Sequence, residues 1–135
     1  MSYYIATTLA LPFDQAIKKV ESALMEQGFG IISRIDIQEA LKTKIGVDFR
    51  PYTILGACNP ALAHEALKLE DKVGTMLPCN VVVQQKQTGE SEVAAIDPVA
   101  SMQAIPNAEL KKAAQEVRER LRMVVDSLAS AEAAV

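Results

Sequence analysis

Two stretches of helical apolar periodicity, one near each end of the chain, bracket a middle rich in β-branched residues, and this arrangement constrains the fold more than any other feature. In the first stretch Phe13, Ala16, Ile17, Val20 and Leu24 recur at helical spacing. Pro12 before them suits a first helical turn, and Gly28 after them supplies a stop. In the second, over about residues 108–129, Leu110, Ala114, Val117, Leu121, Val124, Val125 and Leu128 form the stripe behind Asn107, a good N-cap. Lys111, Lys112, Glu119, Arg120 and Arg122 leave the opposite side of that helix to solvent. Each stripe needs an apolar surface to lie on, and a sheet built from the middle of the chain provides one.

Five segments read as strands: residues 3–9, 30–35, 52–57, 79–86 and 92–97. The last two, joined through Thr88-Gly89, form an antiparallel hairpin. Two shorter helices fall between the strands. One spans about 37–45, opens on the pair Asp36 and Glu39, carries Ile37, Leu41 and Ile45 four apart, and ends at Gly46. The other opens on Asn59-Pro60 and runs to about residue 70. Residues 98–106 are irregular, with at most one helical turn. The expected class is α+β: a mostly antiparallel sheet in strand–helix–four-strand–helix order, with two long helices on one face and short inserted helices. A single domain over residues 3–128 is followed by a frayed tail at 129–135. A second copy is expected to cover the open face of the sheet, making a homodimer.

Composition narrows the function classes. A length of 135 residues suits one self-sufficient core, and a net charge of −3 with 50% hydrophobic residues excludes a disordered tail. A pI near 5.2 argues against an electrostatic nucleic-acid binder. No apolar run approaches the roughly 20 residues of a membrane span. The opening Met1-Ser2-Tyr3-Tyr4-Ile5 lacks the basic-then-apolar pattern of a signal peptide, so the expected compartment is the cytoplasm, where two cysteines stay reduced.

Three groups stand out for chemistry. Cys58 precedes the N-cap Asn59, where a helix dipole favours a thiolate, although a small core residue at a strand end explains it equally well. His64, the single histidine, lies within the same helix and can ligate a metal or move a proton, or can be a satisfied structural residue. Cys79 opens the fourth strand behind Leu77-Pro78 and is followed by Asn80. If the third and fourth strands are antiparallel neighbours, Cys58 and Cys79 meet at adjoining ends. Asp97-Pro98 reads as a turn, with Asp97 accepting a hydrogen bond from His64 as the functional alternative. Arg34 and Lys44 are available to an anion but are the kind of charge that solvent satisfies. Met25, Met76, Met102 and Met123 are dispersed and read as filler. The chain has no Walker A sequence, no G-x-G-x-x-G, no H-E-x-x-H and no G-x-S-x-G, so an enzyme is the less favoured class.

The stretch Lys44-Ile-Gly-Val-Asp-Phe-Arg-Pro-Tyr52, then Ile54-Leu-Gly-Ala-Cys-Asn-Pro60, His64, Leu77-Pro-Cys-Asn-Val81 and Asp97-Pro98, resembles the bacterial and archaeal domain-of-unknown-function 302 family over roughly residues 3–128. The resemblance implies a strand–helix–four-strand–helix domain like the TATA-box-binding-protein fold. It places the family's motif residues at Cys58, Asn59, Pro60, His64, Pro78, Cys79, Asn80 and Asp97, and it brings an association of some members with haem binding or sulfur metabolism. Three readings follow. The first is a small ligand- or cofactor-binding protein, with haem or a soft metal held near Cys58, His64 and Cys79, flanked by Asn59 and Asn80. The second is a sulfur-transfer or redox protein in which Cys79 resolves Cys58. The third is a non-catalytic homodimeric interaction module.

Overall fold

The computed structural model describes residues 2–133, the last four of them by backbone alone. Five strands, β1 (Tyr4–Leu9), β2 (Gly30–Asp36), β3 (Tyr52–Cys58), β4 (Cys79–Gln85) and β5 (Ser91–Ile96), form one sheet in the order β1-β5-β4-β3-β2. Every neighbouring pair is antiparallel, as the strand pattern predicts. The first helix, α1 (Phe13–Glu26), carries the chain from β1 at one edge to β2 at the other. The last helix, α5 (Ala108–Ala133), returns beside β1. It stays helical through Ala133, further than the tail expected from residue 129, while residues 134 and 135 lie outside the described part.

The two long helices share one face of the sheet, and the core lies between. Ile5 and Leu9 of β1, Leu55 and Ala57 of β3, Val81 and Val83 of β4, and Val93 and Ala95 of β5 point into it. They meet Ala16, Ile17, Val20 and Leu24 of α1 and Leu121, Val124, Val125 and Leu128 of α5. These are the stripes that helical spacing singles out, because apolar side chains three and four apart share a face. A smaller cluster, with Ala66, Val73, Met102, Leu110 and Ala114, packs the inserted helices α3 (Pro60–Leu69) and α4 (Pro98–Ser101) and a 3-10 turn at Asp71–Met76 against the start of α5. The 3-10 turn has no counterpart in the sequence pattern, because its single buried apolar side chain, Val73, makes no period.

Capping chemistry sets the boundaries. Asp36 accepts from the Glu39 amide at 3.0 Å to start α2 (Ile37–Ile45), Asn59 accepts from Leu62 at 3.2 Å to start α3, and Asn107 accepts from Leu110 at 3.0 Å to start α5. Gly46, at a φ of 68°, closes α2 in the left-handed conformation that glycine adopts without strain. Gly56 is needed for a different reason. A Cβ there would stand 2.1 Å from Ser33 Oγ and 2.8 Å from Pro78 Cγ, so β2, β3 and the entry to β4 close up only around a residue with no side chain.

Candidate functional site

Strand alternation decides where the sequence candidates go. Ala57 lies opposite Cys79 in the β3–β4 ladder, so the ends carrying the two cysteines do adjoin, as expected. The register pairs Cys79 with Ala57 rather than with Cys58. Cys79 therefore shares the helix-covered face with Ala57, and Cys58 shares the open face with Tyr52 and Ile54. Both thiols are free. Burial, and secondarily the neighbouring Cys58, pushes the Cys79 thiol up to about 11. A resolving cysteine needs an accessible thiolate, and this one is a neutral core side chain.

His64 stands exposed on α3. Asn59 spends its side-chain oxygen on the cap, as its position in the sequence implied. Among the described residues no three His, Cys, Asp or Glu side chains converge as a metal site, so the expected set of Cys58, His64 and Cys79 is not assembled. The physical reason is that one thiol faces the core, the other faces the opposite side of the sheet, and the imidazole faces solvent. The alternative for Asp97 is also corrected. Its buried carboxylate accepts from the amides of Val99 at 3.0 Å and Ala100 at 3.4 Å, starting α4, and from Arg118 Nε at 2.9 Å. Its charged partner is Arg118, not His64. The Asp97 hydrogen bond in turn raises the Arg118 pKa above its ordinary value.

Cys79 supplies an expected result. In the folded chain it should resist a thiol reagent that labels Cys58, and both should react on unfolding. Because its pKa is raised from 9.0 to about 11, the stability it contributes is intact below pH 9 and is lost as pH climbs toward 11, where the unfolded chain ionises first. The loss is about 2–3 kcal/mol. Chemical denaturation at pH 8 and pH 10.5 should show a drop that Cys79→Ala reduces by about 2 kcal/mol, most of the full loss; an equal drop in both proteins would place the thiol in solvent.

What the structure does bring together lies on the open face. Reading the registers across the sheet, Ala6, Ala94, Val82, Ile54 and Ile35 form one continuous row over all five strands. A polar row, Thr8, Glu92, Gln84 and Tyr52, runs beside it. Within that row Arg50 Nε donates to Gln84 Oε1 at 2.8 Å, and Gln84 Nε2 donates to Glu92 Oε1 at 3.0 Å. The Arg50 guanidinium also lies over the ring of Phe49, 4.4 Å from its centroid, and faces Tyr52 at 5.7 Å. At the far edge the rings of Tyr3 and Tyr4 meet edge-on at 5.0 Å. Between these aromatic ends lies a groove of about 350 Å³, walled by Tyr3, Tyr4, Tyr52, Asn80, Val82 and Gln84 among others. Of the sequence candidates only Asn80 lines it. The tyrosines, which are all three that the chain has, were missed. Their signal was the period-2 alternation that sets Tyr52, Ile54, Val82 and Ala94 off from the core positions.

A family model described as "Domain of unknown function DUF302" matches residues 5–128. The chain belongs to the DUF302 family. Among solved structures, the uncharacterised conserved DUF302 protein from Bacillus stearothermophilus superposes with a TM-score of 0.87 at 28% identity, covering 93% of this chain and 98% of that one. No curated protein matches. The motif segments that resemble the DUF302 family have structural duties here. Residues 49–52 build the Phe49–Arg50–Tyr52 cluster, Gly56 admits Ser33 and Pro78, Asn59 caps α3, and Asp97 anchors α4 to α5. Among the described residues no helix of this DUF302 protein is long and apolar enough to cross a membrane.

Proposed function

We propose that this DUF302 protein is a non-enzymatic binding protein that works as a homodimer, two copies apposing their open sheet faces around the tyrosine-lined groove. The observation that carries the reading is the uncovered apolar row from Ala6 to Ile35. An antiparallel sheet tolerates one solvated face, but that face is normally polar. Here Tyr4 and Ile35 are 46% and 47% exposed on it, and Ile32 at the β2 bulge is 64% exposed. The row spans five strands, roughly 19 Å at the usual strand spacing, and so reaches beyond the groove. A second sheet matches that width; a small ligand alone does not. Helix α2 adds to the argument, since none of its residues is buried and Ile45 is 65% exposed. In an isologous pair the two grooves face each other across sheets about 10 Å apart, a chamber for a flat, largely apolar molecule that hydrogen-bonds Asn80 or Gln84.

Native mass spectrometry on protein purified without reductant or chelator is expected to give twice the 14.6 kDa chain mass plus a bound small molecule. Val82→Arg, which sets a charge in the middle of the row, should yield monomers. A wild-type monomer at tens of micromolar, or a variant dimer as stable as wild type, would remove the assembly. The chain has no tryptophan, so its emission comes from three tyrosines that all line the groove. Emission unchanged between protein with and without its bound molecule would remove the chamber.

A further inference from the structure

A second cleft, of about 560 Å³, opens where β1, α4 and α5 meet, and Tyr4 is the one aromatic wall it has in common with the groove of the open face. Its polar wall is Arg118, Arg122, Gln115 and Glu119 of α5 with Ser2 and Asp97; its apolar wall is Tyr4, Ile5 and Val99. Two features of the arginines are unusual. Arg118 and Arg122 stand four residues apart on one helix, a like-charge spacing that costs helix stability unless something neutralises it. Arg118 is held through its Nε by the buried Asp97 at 2.9 Å, which fixes the guanidinium plane and leaves the two Nη groups directed elsewhere. Glu119 approaches Arg118 Nη1 at 3.7 Å but is itself well exposed and screened by water. Arg122, although only half-exposed, forms no ion pair with any described residue.

We infer that this cleft binds a small carboxylate with an apolar body, its oxygens on Arg122 and the Nη edge of Arg118 and its body against Tyr4 and Val99. Asp97 is a positioning residue in this arrangement. It orients Arg118, and because both carboxylates of the cleft, Asp97 and Glu119, face Arg118, Arg122 is the cation left to a ligand. A planar carboxylate suits a guanidinium fork, and the apolar wall selects against a bare inorganic ion. Arg118 and Arg122 lie on α5, outside the open-face groove, and Tyr4 is the one wall shared with it, so the Arg122 variants test this site apart from the dimer reading.

Benzoate, with benzamide as its uncharged isostere and inorganic phosphate as the bare anion, tests the assignment. In an amide-resolved NMR titration of the full chain, benzoate is expected to shift the resonances of Gln115, Val99 and residues around Arg122. Benzamide and phosphate should each bind at least tenfold more weakly. Arg122→Ala should weaken benzoate at least tenfold, and Arg122→Lys should recover only part, since it keeps the charge and loses the fork. Benzamide binding as well as benzoate would overturn the role of the arginines, and phosphate binding as well as benzoate would overturn the role of the apolar wall. Benzoate affinity unchanged in Arg122→Gln, which keeps the aliphatic stem and a polar end but removes the charge, would overturn the site even if the alanine variant folds poorly.

Discussion

Leu121→Ala is expected to lower the unfolding free energy by about 3–5 kcal/mol, measured as a fall in the urea midpoint at unchanged slope. Leu121 has no exposed surface and sits in the main core with Val124, Val125 and Leu128, facing the sheet. Truncation removes three heavy atoms from contacts that α1 and the strands cannot close over, because both long helices are already seated on the same face. Met123, two residues further along α5, is 52% exposed, and Met123→Ala should change stability by no more than about 0.5 kcal/mol. Both measurements belong at one protein concentration, since a dimer couples stability to concentration. Similar losses from the two variants would mean that α5 does not present this stripe to the sheet.

Asp97→Ala should cost about 2–4 kcal/mol, the second-largest effect expected of a single substitution here. The carboxylate is 4% exposed and serves three donors at once: the amides of Val99 and Ala100 and Arg118 Nε. Removing it leaves two helix-start amides without their acceptor and detaches α4 from α5. Asp97→Asn keeps an oxygen for the amides but loses the charge, so it should fall between wild type and alanine. His64→Ala, by contrast, should leave stability within about 0.5 kcal/mol, because the imidazole is exposed on α3. A loss at His64 rivalling that at Asp97 would show that the histidine, not Arg118, is the partner of this carboxylate.

The candidate site was legible in parts. Asn59 announced itself as a helix starter because capping acts within three residues, a range that a sequence displays directly, whereas Asp97, which caps the one-turn helix α4, read only as a turn before Pro98. Asn80 was chosen for its place beside Cys79 and does line the groove. The partner of Asp97 was not legible. Arg118 is 21 residues away, on a helix whose polar side reads as plain solvation. The cysteines illustrate the same limit from the other direction. Their strand ends adjoin as expected, but a one-residue offset in register sends the two thiols to opposite faces, and no local pattern reports that offset.

By itself the sequence determined the local elements: five strands, two long amphipathic helices and three capped helix starts, each governed by periodicity or by hydrogen bonds between near neighbours. It also carried the motifs that resemble the DUF302 family. Tertiary structure alone decided the order β1-β5-β4-β3-β2, which sends β1 and β2 to opposite edges and leaves one face of the sheet uncovered. It alone gathered Tyr3, Tyr4 and Tyr52 around one groove and set Arg118 against Asp97. The reason is physical. Strand pairing and ion pairing between distant segments depend on which segments the packed helices bring within a few ångströms, and spacing along the chain does not encode that distance.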